Sequence, residues 1–443
     1  MTREDDGYAA DIPYLRDFKP MLAPAWLDHV ALVAGIEPPA RSNGFAWCDL
    51  GCGQGVTAAI LAATHPSDVF HGIDAMPMHI DHARRLAAAA AIPNLQLHGV
   101  DFAAAIDLEL PQFDYIVAHG VYTWIGPEAQ RAVRRFIDRQ LKPGGLAYLS
   151  YNAMPGWACD LPFQGLLREL GRTLPGDNSG RFTAAAKLAR TLAGAGVASL
   201  AASFIVKELQ ERPEDYPPAY LVHEFMPAAW QPLYVTEVRS DMATIALEPV
   251  GSATLSENLD WLVLPEAARQ TLEAITERDA RELVRDYYLD QRFRCDVFAR
   301  GNRQLGLGER ARRLLSSTFA LARPVPAIRY TMTTPAGSLT YDSPAARAIV
   351  AELNAGRLAR TEDLKTLLTL CAAGDIMPAE PGHAAVADLN RTLCRRVDGA
   401  EEIRWLALPC GTAVEVDPGL LRALRDGRPL DDGWRGFLAS HGL

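Results

Sequence analysis

A chain of 443 residues, 49% hydrophobic and 22% charged, has the balance of an ordinary globular protein and the length of about three domains. Its net charge is −10, and residues 1–160 alone carry 11 Lys and Arg against 18 Asp and Glu. No basic stripe runs along it, which removes the electrostatic footprint of a nucleic-acid binder, so no nucleic-acid partner is expected.

In chain order, a Tyr- and Pro-rich lead (1–40) holds one amphipathic segment, "PAWLDHVALVAGI" (24–36). A strand–helix alternation then begins. "FAWCDL" (45–50), "VFHGID" (69–74), "LQLHGVD" (95–101), "FDYIVAHG" (113–120) and "LKPGGLAYLSYN" (141–152) read as strands. Between them "VTAAILAA", "HIDHARRLAAAAA" and "EAQRAVRRFIDRQL" read as helices. Strands joined by short helical crossovers form an open parallel sheet with helices on both faces. Ligands of such sheets sit at the carboxyl ends of the strands. Residues 160–231 read mainly as a helical insertion. "PLYVTEVRSDMATIALEPVGSATL" (232–255) runs from helix into strand, and "RFRCDVFAR" (292–300) alternates as a strand. These two complete a seven-stranded, doubly wound, Rossmann-like α/β sheet. From residue 305 to 443 short helices and strands mix, and the pattern reads as a C-terminal mixed α/β domain of winged-helix-like type.

The chemistry concentrates in "CDLGCGQGV" (48–56), an acid followed by glycines at every second position. A glycine turn between strand and helix brings the helix N-terminus, with its unpaired N–H groups and positive dipole end, to a ligand. No Gly-Lys-Ser/Thr follows, so it is not a Walker loop. The dinucleotide fingerprint also fails, because its third glycine falls on Val56. Further strand ends add to the signal. Asp74 ends the second strand, where an acid can accept from both ribose hydroxyls. Asp101 and Phe102 follow the third, where a carboxylate and a ring can hold an adenine. His119, Gly120, Tyr122 and Trp124 follow the fourth.

This constellation resembles the class I S-adenosylmethionine-dependent methyltransferases, whose loop reads (D/E)-x-G-x-G-x-G. The resemblance implies that Asp49, Gly51, Cys52, Gly53 and Gly55 form the turn around the methionine moiety. It implies Asp74 at the ribose, Ala75 and Met76 beside the adenine, and Asp101 and Phe102 as its clamp. "HGVYTWI", "SYNAMPGW", "YLVHEFMPAAWQPLYVTEV" and "QRFRCDVFARG" are similar to a narrower group, bacterial methyltransferases with a methyltransferase regulatory domain. The rickettsial outer-membrane-protein lysine methyltransferases are among them. The implied organisation is a lead or cap (1–40), a donor-binding core (41–159), the insertion (160–231), a regulatory-type segment completing the sheet (232–304) and the C-terminal domain (305–443).

The implied activity is methyl transfer from S-adenosylmethionine, with a protein lysine or a small molecule as acceptor. A small-molecule O- or N-methyltransferase and a cofactor-binding regulatory protein without turnover are the competing readings. His119, Tyr122 and Trp124 are the catalytic candidates, His119 as base and the aromatics as a wall toward a cationic methyl donor. His119 and Gly120 also border the cofactor, and Tyr14 and Phe18 in the lead are placed to close over it. His65, His71, His79 and His82 cluster in sequence but lack a carboxylate at ligand spacing, and His223-Glu224 lacks the second histidine of HExxH, so no metal is expected. Seven cysteines without CxxC form no disulfide framework. The acidic start lacks the basic-then-apolar order of a secretory signal, and the charge-free run 191–206 is short of the ~20 residues that span a bilayer. A cytoplasmic protein without membrane contact, in homodimeric form, is the corresponding expectation.

Overall fold

The computed structural model describes residues 16–443 apart from 213–221, 223, 226, 358–360, 381–385 and 400–401. Its centre is a seven-stranded sheet in the order β3-β2-β1-β4-β5-β7-β6. β1 (Ala46–Leu50), β2 (Val69–Ile73), β3 (Leu95–His98), β4 (Phe113–Ala118) and β5 (Leu141–Asn152) run parallel. β7 (Phe293–Ala299) lies antiparallel between β5 and β6 (Glu248–Ser252). The two late segments read as strands thus close the sheet, although more than ninety residues separate β5 from β6. Every residue of β1 and β4 is buried, the continuous apolar run that a strand covered on both faces requires.

Local chemistry sets the helices. α1 (Pro24–Ala34) opens with proline at its first turn and ends on Gly35 at φ +78, the asymmetry a helix start and stop prefer. α2 (Val56–Thr64) follows the glycine turn, and α3 (Pro77–Ala89) and α4 (Phe102–Ala105) follow β2 and β3. α5 (Pro127–Gln140) buries Val133, Phe136 and Ile137 on one face of the sheet. The insertion comprises α6 (Leu161–Thr173), α7 (Asn178–Gly194), α8 (Ala198–Ala201) and α9 (Phe204–Glu211). It packs a core of its own from Trp157, Phe163, Phe182, Val206, Phe225 and Trp230.

The residues from 305 onward share an apolar core with the opposite face of the sheet. Trp47, Phe70 and Leu61 are contiguous there with Phe319, Leu370, Leu393, Leu406 and Phe437. Polar contacts reinforce the packing. Arg41 pairs with Asp28 at 2.6 Å and with Glu380, and Trp405 Nε1 donates to Asp17 at 2.7 Å. Three two-stranded ladders stand in this layer: β8 (Phe319–Leu321) with β11 (Ile376–Pro378), β9 (Thr331–Thr334) with β10 (Gly337–Thr340), and β12 (Trp405–Leu408) with β13 (Thr412–Glu415). No helix among the described residues is long and apolar enough to cross a membrane.

Candidate active site

Strand order reverses between β1 and β4, each the other's neighbour, and the crevice beyond their carboxyl ends is the place for a ligand. The glycine turn stands there, and its three glycines answer to three different demands. All have positive φ: +84 at Gly51, +52 at Gly53 and +72 at Gly55. A Cβ on Gly51 would come within 2.5 Å of Val121 in the loop after β4, and within 3.9 Å of the Phe102 ring. A Cβ on Gly55 would overlap Ala83, so that glycine lets α2 pack against α3. A Cβ on Gly53 would meet nothing within 4 Å. Of the three, only Gly53 faces open space that a ligand can enter.

Two acids flank the turn. Asp74 accepts from the Gly53 amide at 2.9 Å and the Met76 amide at 2.8 Å, and His79 Nδ1 stands 3.3 Å away. Its carboxylate therefore shapes the turn as well as facing the crevice. Asp49 is 4% exposed and makes no hydrogen bond to a described residue. Burial, and then the neighbouring Asp74 charge, push its pKa up to about 8. Two buried carboxylates with no Lys or Arg paired to them among the described residues form a site that a positively charged ligand relieves. S-adenosylmethionine, with its sulfonium and amino groups, fits that donor set and the open approach at Gly53.

The adenine side is looser than the sequence suggests. Ala75 and Met76 are half-buried after β2, and Phe102 stands beside Gly51. Asp101 is exposed, and its carboxylate caps α4 by accepting from Ala104 N at 2.8 Å. Cys52 lies in the turn with its thiol pushed well above its ordinary range by burial and by Asp74 and Asp49, which leaves it a small packing residue. In the lead, Phe18 is 1% exposed and stacks edge-on to Trp405 rather than closing over the crevice. Tyr14 lies outside the described residues. The lead reaches α2 instead through the Lys19 amide, which donates to Thr57 Oγ1 at 3.1 Å.

After β4 the candidates part company. His119 Nδ1 is 2.8 Å from the Tyr148 hydroxyl and 3.3 Å from Ser150 Oγ, and Gly120 N donates to the same Ser150 oxygen at 2.8 Å. Burial, and then the Lys19 charge, lower His119 to about 3, so the imidazole is neutral. Tyr122, expected to line the acceptor passage, turns instead into the core. It is 0% exposed, and its hydroxyl donates to Asp241 at 2.7 Å beneath the helix Val235–Ala243, where Arg134 joins the pair. The cause is periodicity in the short turn: Val121 faces the glycines, so Tyr122 faces away. Trp124 is half-buried against the insertion's core. The four clustered histidines go to four different places: His65 to Glu380, His71 to a stack with His98, His79 to Asp74 and His82 to the Gln54 carbonyl.

Three polar residues absent from the expected site, Ser150, Asn152 and Glu224, are buried together at the end of β5. Ser150 and Asn152 close β5, and Asn152 N donates to Thr123 Oγ1 at 3.1 Å, tying the β4 loop to that strand. The Asn152 amide donates to Glu224 at 3.1 Å. Residues 231–233 lie along both, with Gln231 N on Thr123 O at 2.9 Å and Leu233 N on Asn152 O at 3.0 Å. Only the His-Glu pair at 223–224 could have pointed to this group from the sequence. His223 lies outside the described residues.

Comparison with known proteins identifies the family and the fold. A family described as "Methyltransferase domain" matches residues 48–147, and "Predicted methyltransferase regulatory domain" matches residues 217–300. An uncharacterized Synechocystis protein is 32% identical over 354 residues, 80% of this chain and 70% of its own length. The chain belongs to the methyltransferases that carry this regulatory domain. The methyltransferase also resembles an uncharacterized Rickettsia prowazekii protein, 33% identical over 134 residues, 30% of this chain and 53% of that one. In fold it is similar to PKMT2 of Rickettsia typhi, solved in complex with AdoHcy. The TM-score is 0.71 at 19% identity, over 97% of this chain and 91% of that one. That coverage includes the insertion and the C-terminal layer as well as the sheet.

Proposed function

We propose that the methyltransferase binds S-adenosylmethionine in the crevice beyond β1 and β4 and methylates the side-chain amine of a protein lysine. When bound, the donor supplies an electrophilic methyl group on a sulfonium. The chain's own part is to orient it, through the turn at Gly53 and the carboxylates of Asp49 and Asp74, and to keep water from the acceptor. Positioning of this kind accounts for most of the catalysis that a displacement needs.

The observation that favours an amine over a hydroxyl is the run of buried carboxylates at this end of the sheet, which attracts an ammonium, together with the state of His119. Among the described residues it is the imidazole that directly follows β4, and burial lowers it to about 3. A base that weak takes little of a hydroxyl proton at neutral pH. An amine, once neutral, attacks through its lone pair without further help. The likeness to rickettsial PKMT2 supports a protein as the carrier of that amine.

The test is incubation of the purified protein with methyl-labelled donor and bacterial lysate, followed by peptide mass spectrometry. Label on lysine nitrogen supports the reading. Label confined to hydroxyls, carboxylates or small molecules contradicts it.

A further inference from the structure

We infer that Glu224 is the general base of this site, the carboxylate that receives the acceptor's ammonium group and takes its proton. The inference deepens the proposed lysine specificity and rests on it. The carboxylate sits at the right end of the sheet. Its Oε1 accepts from the amide of Asn152, the last residue of β5, and the same residue's backbone is tied to the loop that follows β4. Gly51 of the turn abuts that loop at Val121, so the one loop after β4 touches both the turn and the residue that holds the carboxylate.

Glu224 is 8% exposed, and Asn152 is its one hydrogen-bond partner among the described residues. An uncompensated buried carboxylate is costly unless something arrives to pair with it. The charged group acting on it is Arg292, which is already engaged. Arg292 pairs with buried Asp160 at 2.7 Å, donates to the Gly156 carbonyl at 2.8 Å and lies 4.3 Å over the Trp157 ring. Burial therefore prevails over the Asn152 hydrogen bond and the Arg292 charge, and raises Glu224 to about 7. A base poised near the working pH is the efficient one.

The step balances without a further reagent. The acceptor's ε-ammonium loses one proton to the Glu224 carboxylate, giving a neutral amine and a carboxylic acid. The amine lone pair forms the N–C bond to the donor methyl as the C–S bond breaks, its electron pair going to sulfur. The carboxylic acid then returns its proton to water.

Glu224→Gln is isosteric, keeps the bond from Asn152 by its carbonyl and removes a buried charge. It should retain AdoHcy affinity by calorimetry. With poly-L-lysine as acceptor, wild-type kcat/KM should rise with pH through about 7. Glu224→Gln should lose about 100-fold or more and that limb with it. Asn152→Ala removes the bond that holds the carboxylate down, so its limb should move to higher pH. Infrared difference spectra without acceptor give a second readout: Asp286 and Asp49 also titrate near this range, so the carboxyl C=O absorbance titrating near 7 should fall by one group from wild type to Glu224→Gln. Wild-type rate and limb in Glu224→Gln, or no such loss of absorbance, overturn the inference. The lysine reading fails separately, when the wild type makes AdoHcy but labels no lysine.

Discussion

Gly53 and Gly55 lie two residues apart in one turn, yet alanine should act on them in opposite ways. At Gly55 the new Cβ meets two penalties: a φ of +72 and overlap with Ala83 on the neighbouring helix. A left-handed backbone costs an L-residue roughly 1–2 kcal/mol, and overpacking a filled contact costs roughly 1–3 kcal/mol. Gly55→Ala should therefore lose roughly 2–5 kcal/mol of stability. At Gly53 the φ of +52 imposes only the first penalty, about 1–2 kcal/mol, because nothing lies within 4 Å. On the proposed reading the donor enters through that free space, so Gly53→Ala should weaken AdoHcy binding far more than stability. Urea unfolding and calorimetric titration of the two folded variants separate the effects. Equal destabilisation with AdoHcy affinity intact in Gly53→Ala would refute the assignment of the open side of the turn to the ligand.

Asp49, raised to about 8 by burial and by Asp74, is protonated in the free protein at neutral pH. Because its folded pKa exceeds the unfolded one, stability from this group falls as pH rises from about 4 to about 8. A cationic donor favours the ionised form, so binding should release a proton across that window. Calorimetry in two buffers of different ionisation enthalpy should show the release in wild type and not in Asp49→Asn; a binding heat independent of buffer speaks against it. Arg294 is 3% exposed among Asp286, Asp296 and Glu282; Arg294→Met leaves Asp286 and Asp296 without their cation, while Glu282 keeps Arg239 and Arg285. Unfolding in urea should show a loss of about 3–5 kcal/mol, and a loss below about 1 kcal/mol would mean the cluster is dispensable. Tyr122→Phe should cost about 0.5–1.5 kcal/mol through the bond to Asp241 and leave turnover unchanged; a large fall in kcat would return Tyr122 to the site.

The sheet was legible because its signals are local and repeated. β1 and β4 are continuous buried runs, β2 and β5 carry a buried stretch, and β3 alternates. β6 and β7 could also be read, β7 from the alternation in "RFRCDVFAR" and β6 as the strand into which a helix runs. The site divides by the same criterion. The glycine turn and Asp74 have a chemistry that the backbone forces on the sequence. The direction of Tyr122 depends on which side chain of a three-residue turn meets Gly51, and no local pattern records it. Glu224 is harder still. It meets the site through Asn152, 72 residues earlier, so nothing beside it in the sequence shows its partner. The C-terminal layer hides for a related reason: Trp405 and Glu380 find their partners at Asp17 and Arg41, at the far end of the chain.

The account turns on what occupies the crevice between the glycine turn and the ends of β4 and β5. A crystal structure of the full chain with AdoHcy tests this most directly. The predicted result is AdoHcy beside Gly53, in contact with Asp49 or Asp74, with its sulfur toward the side of the crevice where Asn152 holds Glu224. AdoHcy bound away from Gly53, or with Glu224 shut off from the sulfur by intervening side chains, would contradict it.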